Sequence, residues 1–141
     1  MLKEACVENF TNVPGVIERG AKRIELCDNL AVGGTTPSIG VIKITAEYCS
    51  DKDASIIVIL RPRGGDFVYS LMEKAIMMRD LEEITASHAN GIAVGALTAV
   101  NELDKPFLEE IAKLGHAPEK RITPFHNMLG GLADGELLGI C

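Results

Sequence analysis

Ile56-Ile57-Val58-Ile59-Leu60 runs without a polar interruption into Arg61-Pro62-Arg63-Gly64-Gly65-Asp66. Five consecutive aliphatic residues predict a strand buried on both faces, the habit of a parallel sheet covered by helices. Ligands of such folds sit beyond the carboxyl ends of the strands. Two arginines, two glycines and an aspartate fall at that end, so charge and backbone freedom gather on one rim.

Outward from this strand the chain alternates. Leu2 to Val7 and Arg23 to Cys27 read as earlier strands, Gly91 to Val94 and Arg121 to Phe125 as later ones, with Pro124 awkward inside the last. Thr11 or Asn12 caps a short helix with Pro14 in its first turn, and Gly20 closes it. Thr36-Pro37 reads as the cap and first residue of a second helix, whose apolar face is Ile39, Ile42, Ala46 and Cys49. Met77, Leu81 and Ile84 mark the buried stripe of a third helix. Asp104 caps a fourth, with Phe107, Leu108, Ile111 and Leu114 inward and Gly115 at its end. About five parallel strands and four helices in strict alternation make an α/β chain. No glycine fingerprint of a dinucleotide or P-loop site follows any strand, which turns the expectation from an open sheet to a (β/α) barrel. A complete barrel needs about 200 residues or more. These 141 residues therefore predict a partial one, over 1–126, followed by a tail over 127–141.

The balance of the chain narrows its partners. A net charge of −6 argues against nucleic acid, which asks for a clustered basic face. No apolar run approaches membrane length, and none forms a leader behind Lys3 and Glu4. Cys6, Cys27, Cys49 and Cys141 show no paired spacing, so reduced thiols in a cytoplasmic protein are expected.

Two constellations carry chemistry. Glu8, Asp28, Asn29, Arg61, Arg63, Asp66 and His126 are expected at the strand-end rim. There Arg61, Arg63, Gly64 and Gly65 suit a small anion, and Glu8, Arg61 and His126 suit acid–base work on an anionic metabolite. A salt-bridge network, Arg61 with Glu8 or Glu25, is the structural alternative. The loop Gly33-Gly34-Thr35-Thr36-Pro37 either holds an anion or simply leads into a capped helix. The second constellation is Cys6 and Cys27, on neighbouring strands about 4.8 Å apart. Alternation puts Cys6 on the side of Glu8 and Cys27 on the side of Glu25. Cys49 falls on a helix stripe and reads as packing, while His88 and His116 read as solvent-facing.

Cys6-Val-Glu-Asn9, Arg23-Ile-Glu-Leu-Cys-Asp-Asn-Leu30, Gly33-Gly-Thr-Thr-Pro-Ser38, Arg61-Pro-Arg-Gly-Gly-Asp-Phe-Val-Tyr69 and Gly95-Ala-Leu-Thr98 together resemble the CutC family of copper homeostasis proteins. The resemblance covers about residues 1–126 and implies a cytoplasmic TIM barrel linked to copper tolerance. It nominates Cys6 and Cys27 as Cu(I) ligands, consistent with the preference of soft thiolates for that ion. Thr123-Pro-Phe-His126 and His88-Ala-Asn-Gly91 depart from the family's pattern. Asn127-Met-Leu-Gly-Gly131 matches none of it, as in a truncated or frame-shifted gene.

A barrel cut after its fifth strand leaves strand edges and interior side chains without neighbours. Ile57, Ile59 and Val94 are then expected among the exposed apolar groups, and the chain is expected either to pair with a second copy that covers them or to behave as a loosely packed, aggregation-prone species.

Overall fold

The computed structural model describes residues 2–115. Four parallel strands lie side by side in chain order: β1 (Glu4–Glu8), β2 (Arg23–Cys27), β3 (Ser55–Leu60) and β4 (Gly91–Val94). The four α-helices α1 (Val13–Glu18), α2 (Ile39–Asp51), α3 (Leu71–Ala86) and α4 (Lys105–Gly115) alternate with them. The fifth strand expected at Arg121 to Phe125 lies outside the described residues.

Alternation along each strand decides the architecture. Ile24, Leu26, Ile56, Val58, Leu60, Ile92 and Val94 share one face, in one buried cluster with Val13 of α1, Ile42 of α2, Met77 of α3 and Phe107 of α4. All four helices therefore cover the same side of the sheet. An open doubly wound sheet would carry helices on both. The opposite parity supplies a second, smaller cluster of Cys27, Ile57, Ile59 and Ala93, with Cys6 packed against it. The register steps as a barrel's does: β2 begins level with Ser55 of β3, whereas Gly91 of β4 enters two residues later, opposite Ile57. This is a partial (β/α) barrel.

The expected exposure of Ile57, Ile59 and Val94 is corrected. They are 3%, 2% and 5% exposed. Val94 has the parity of the helix-covered face, and Ile57 and Ile59 pack with Cys27 and Ala93 on the other.

Helix starts follow local chemistry. Ser70 and Glu73 form a reciprocal capping box at α3. Asp104 Oδ1 accepts from Phe107 N at 3.3 Å to start α4. At α2 the cap is Ser38, whose hydroxyl accepts from Val41 N, rather than Thr36. The Thr36 hydroxyl is engaged elsewhere, accepting from Arg61 N at 2.8 Å and donating to Arg61 O at 3.1 Å. Ile39 and Leu114, expected inside, are exposed.

Candidate functional site

The parallel register turns the first two strands into a checkerboard. Cys6 stands level with Glu25, and Glu8 level with Cys27. All four side chains share one parity, so each cysteine sulfur has a carboxylate beside it and the other sulfur on the diagonal. The strand spacing of about 4.8 Å thus separates thiol from carboxylate, and the two cysteines' Cα atoms lie about 8 Å apart. Alternation along each strand gives neither the shared face nor this offset, both of which the register sets. Cys27 is fully buried and its Sγ–H donates to Val7 O at 3.5 Å. Burial first, then the negative charges of Glu8, Glu25 and Asp28, pushes its thiol up to about 11. Among the described residues no three His, Cys, Asp or Glu side chains converge to hold a metal ion. The expectation of reduced thiols is corrected at Cys6, which is disulfide-bonded here, so a soft ion could use the diagonal pair of sulfurs only after that bond is reduced.

The loop leaving β2 folds back over this checkerboard. Asp28 and Thr35 exchange backbone hydrogen bonds at 2.9 and 2.7 Å, making its neck. Gly34, at φ +89°, is where the loop lies on the thiol. A β-carbon built there would stand 3.2 Å from Cys27 Cβ and 3.5 Å from its Sγ. The close approach and the positive φ both demand glycine. Glu8 holds the loop from one side, its Oε2 accepting from Leu30 N at 2.6 Å.

Arg61 holds it from the other. The side chain is buried, at 4% exposure, with its guanidinium over the Phe67 ring. Nη1 donates to Val32 O at 2.7 Å and Gly34 O at 2.9 Å, and Nη2 to Gly65 O at 2.8 Å. The alternative ion pair with Glu8 or Glu25 is corrected, because these donors end on loop carbonyls. Among the described residues Arg61 Nε and the buried Tyr69 hydroxyl, which lies beside the Arg61 guanidinium, make no well-formed hydrogen bond.

Arg63 is committed differently. Nε donates to Glu73 Oε1 at 2.5 Å; Nη1 reaches Gly64 O and Asp66 O; Nη2 reaches Asp66 Oδ1, Val68 O and Glu73 Oε2. An anion at Arg63 must displace some of these. Gly64 serves loop packing, since a β-carbon there would stand 2.8 Å from Val32 Cβ. The structure therefore brings Glu8, Asp28, Asn29, Arg61, Arg63, Gly64, Gly65 and Asp66 to one rim. His126, the remaining predicted member, lies outside the described residues, as does Cys141. Cys49 is core packing in α2 and His88 is exposed, both as expected.

Thr36, Gly34, Tyr69 and Glu73 are rim residues that the charge pattern does not single out. The opposite end of the strands carries a cleft lined by residues including Lys22, Lys43, Glu47, Asp53, His88 and Asn90, none of them predicted for the site.

A one-sided parallel array whose polar residues collect at the strand carboxyl ends defines a (β/α)-barrel protein. The model of the CutC family matches residues 1–134, and this chain belongs to that family. A CutC protein of Enterococcus faecalis is 50% identical over 109 residues, covering 77% of this chain and 52% of its own length. One from Vibrio atlanticus is 34% identical over 131 residues, 93% of this chain and 51% of its own. The crystal structure of a Streptococcus agalactiae protein, described as the copper homeostasis protein CutC, superposes with a TM-score of 0.79 at 40% identity, over 83% of this chain and 56% of that one. The chain spans about half the length of the curated relatives it matches. Among the described residues no helix is long and apolar enough to cross a membrane.

Proposed function

We propose that this chain serves copper homeostasis by binding Cu(I) as cargo between Cys6 and Cys27, once the disulfide that Cys6 makes in this structure is reduced, as a reducing cytoplasm would do. The observation that carries this is the checkerboard, two sulfurs on a diagonal of one face with Glu8 and Glu25 on the other diagonal. Thiolates select a soft monovalent ion. The neighbouring carboxylates oppose deprotonation of the free thiol but attract a cation, so metal replaces proton at Cys27 and affinity rises with pH. An anaerobic Cu(I) titration of the fully reduced protein against a competing chelator is expected to show one tight site, lost in Cys6→Ser and in Cys27→Ser. Unchanged affinity in the double variant ends the proposal.

A second function, on a small anionic metabolite, is favoured by a different observation. Among the described residues no carboxylate hydrogen-bonds to the buried Arg61 guanidinium, and Arg61 Nε and the Tyr69 hydroxyl beside that guanidinium lack a well-formed hydrogen bond. Buried donors without acceptors are costly, and an oxyanion supplies acceptors. In that role Arg61, Arg63 and the amides of Gly64 and Gly65 hold the anion, while Glu8 and His126 move protons. Phosphate is then expected to stabilise the protein in a thermal shift assay, and Arg61→Ala to abolish the effect. No stabilisation beyond that of chloride at equal ionic strength rules this function out.

Self-association belongs to the same proposal. Leu71 and Met72 at the start of α3 and Val100 before α4 are 86%, 72% and 75% exposed, apolar surface that a second copy would cover. Light scattering across a concentration series is expected to show a mass above the monomer, and a monomer at every concentration refutes it.

A further inference from the structure

We infer that Arg61 is the positioning residue that keeps the loop over 28–36 closed on Cys27 and thereby sets access to its sulfur. The inference deepens the proposed copper site and rests on that role for Cys27, but nothing in its test depends on copper.

The loop has little apolar burial to hold it down. Positions 28–33 are exposed, and Gly34 alone between 28 and 36 is buried, where it lies on Cys27. Asn29, Gly33 and Gly34 all have positive φ, at 50°, 87° and 89°, which these residue types tolerate and which leaves the loop outside any regular element. Such a segment stays shut only through ties to its surroundings. Those ties converge on Arg61. One guanidinium reaches Val32 and Gly34 within the loop and Gly65 in the facing loop. The same residue's backbone carbonyl accepts from Thr36 N at 2.9 Å, and its N–H and carbonyl both meet the Thr36 hydroxyl. Glu8 supplies the counter-tie at Leu30 from the β1 side. The fork matters as much as the charge. A planar guanidinium addresses three carbonyls from fixed directions, whereas an ammonium on a flexible stem does not. A carbonyl released from Arg61 turns to water and takes the Gly34 contact off the thiol.

Cys49 provides the internal reference. It is as buried as Cys27 and its thiol is likewise pushed up to about 11, yet it sits in α2 among core residues. The reduced full chain is alkylated with iodoacetamide, and labelling at each cysteine is followed by peptide mapping. Arg61→Ala is expected to raise the rate at Cys27 relative to Cys49 tenfold or more, and Arg61→Lys to raise it by a smaller factor. Arg63→Ala, which frees the facing loop from α3, is expected to leave the ratio within twofold of the parent. Thr36→Val, a milder cut of the same tie, must move the ratio in the direction of Arg61→Ala. An unchanged ratio in the Arg61 variants, an equal rise in Arg63→Ala, or parallel acceleration at both cysteines overturns the inference. Failure of the copper proposal reads out separately, as absent Cu(I) binding by the parent.

Discussion

Glu73, in the first turn of α3, takes the Nε–H of Arg63 at 2.5 Å and the backbone N–H of Ser70 at 2.7 Å on its two oxygens. One carboxylate thereby joins the rim loop to the helix that follows it. The second arginine of the motif is a brace, and the helix cap and the loop stand or fall together.

That pairing gives a pH signature. The Arg63 hydrogen bond first, then the Ser70 backbone N–H, holds the Glu73 carboxyl down at about 2. A carboxyl lowered by folding stabilises the native state above its unfolded value of about 4.3, and that stabilisation disappears as pH falls through the folded value. Urea midpoints between pH 5 and 2 are expected to fall more steeply for the parent than for Glu73→Gln, with the parent more stable at pH 7. Parallel curves across that window would show that the brace contributes nothing.

Gly64 yields a packing prediction. The β-carbon of Gly64→Ala meets Val32 Cβ at 2.8 Å, too close for two carbons, so one loop must shift. The expected cost is about 1–3 kcal/mol in chemical denaturation, as for other overpacked sites. Val32→Gly removes both the clashing Cβ and the methyl 3.0 Å away, and the double variant is expected to regain about 1 kcal/mol relative to additivity. Strict additivity would mean that the strain lies elsewhere.

How far these relationships were legible in the sequence differs by kind. The strand Ile56 to Leu60 was readable as an unbroken aliphatic run because both its faces are buried, and the stripe Met77, Leu81, Ile84 because burial of one helix face imposes a period. Helix ends were less readable. Thr36 and Ser38 both offer a hydroxyl, and only the position of the Arg61 backbone decides that Thr36 ties strand to loop while Ser38 caps α2. Ile39 and Leu114 continue their stripes by spacing, but they stand at helix termini where no element among the described residues buries them. The site was readable in its membership and not in its pairings. Charge marked Arg61, yet its partners are carbonyls of Val32 and Gly34, 29 and 27 residues away in the chain. Alternation put Cys6 with Glu8 and Cys27 with Glu25 along their own strands, but only the register brings the four to one face and a carboxylate beside each sulfur.

The two buried thiols predict weakness in alkali. Burial raises Cys49 to about 11, and burial reinforced by the carboxylates does the same for Cys27. Each native thiol binds its proton more tightly than the unfolded thiol, whose value is about 8.5. The sign follows directly. This stabilisation is whole below about pH 8.5 and is lost as pH rises through the folded value. Cys49→Ala isolates one of the two. At pH 7 it should cost about 1 kcal/mol, because a fully buried sulfur no longer fills its place in the core. Lysines and tyrosines also titrate in alkali, so the informative quantity is the difference in thermal midpoint between parent and variant. That gap is expected to be constant from pH 6 to 8 and to narrow steadily between pH 9 and 11, as the parent loses a stabilisation the variant never had. A gap that stays constant through pH 11 would mean that Cys49 ionises as freely in the folded chain as in the unfolded one.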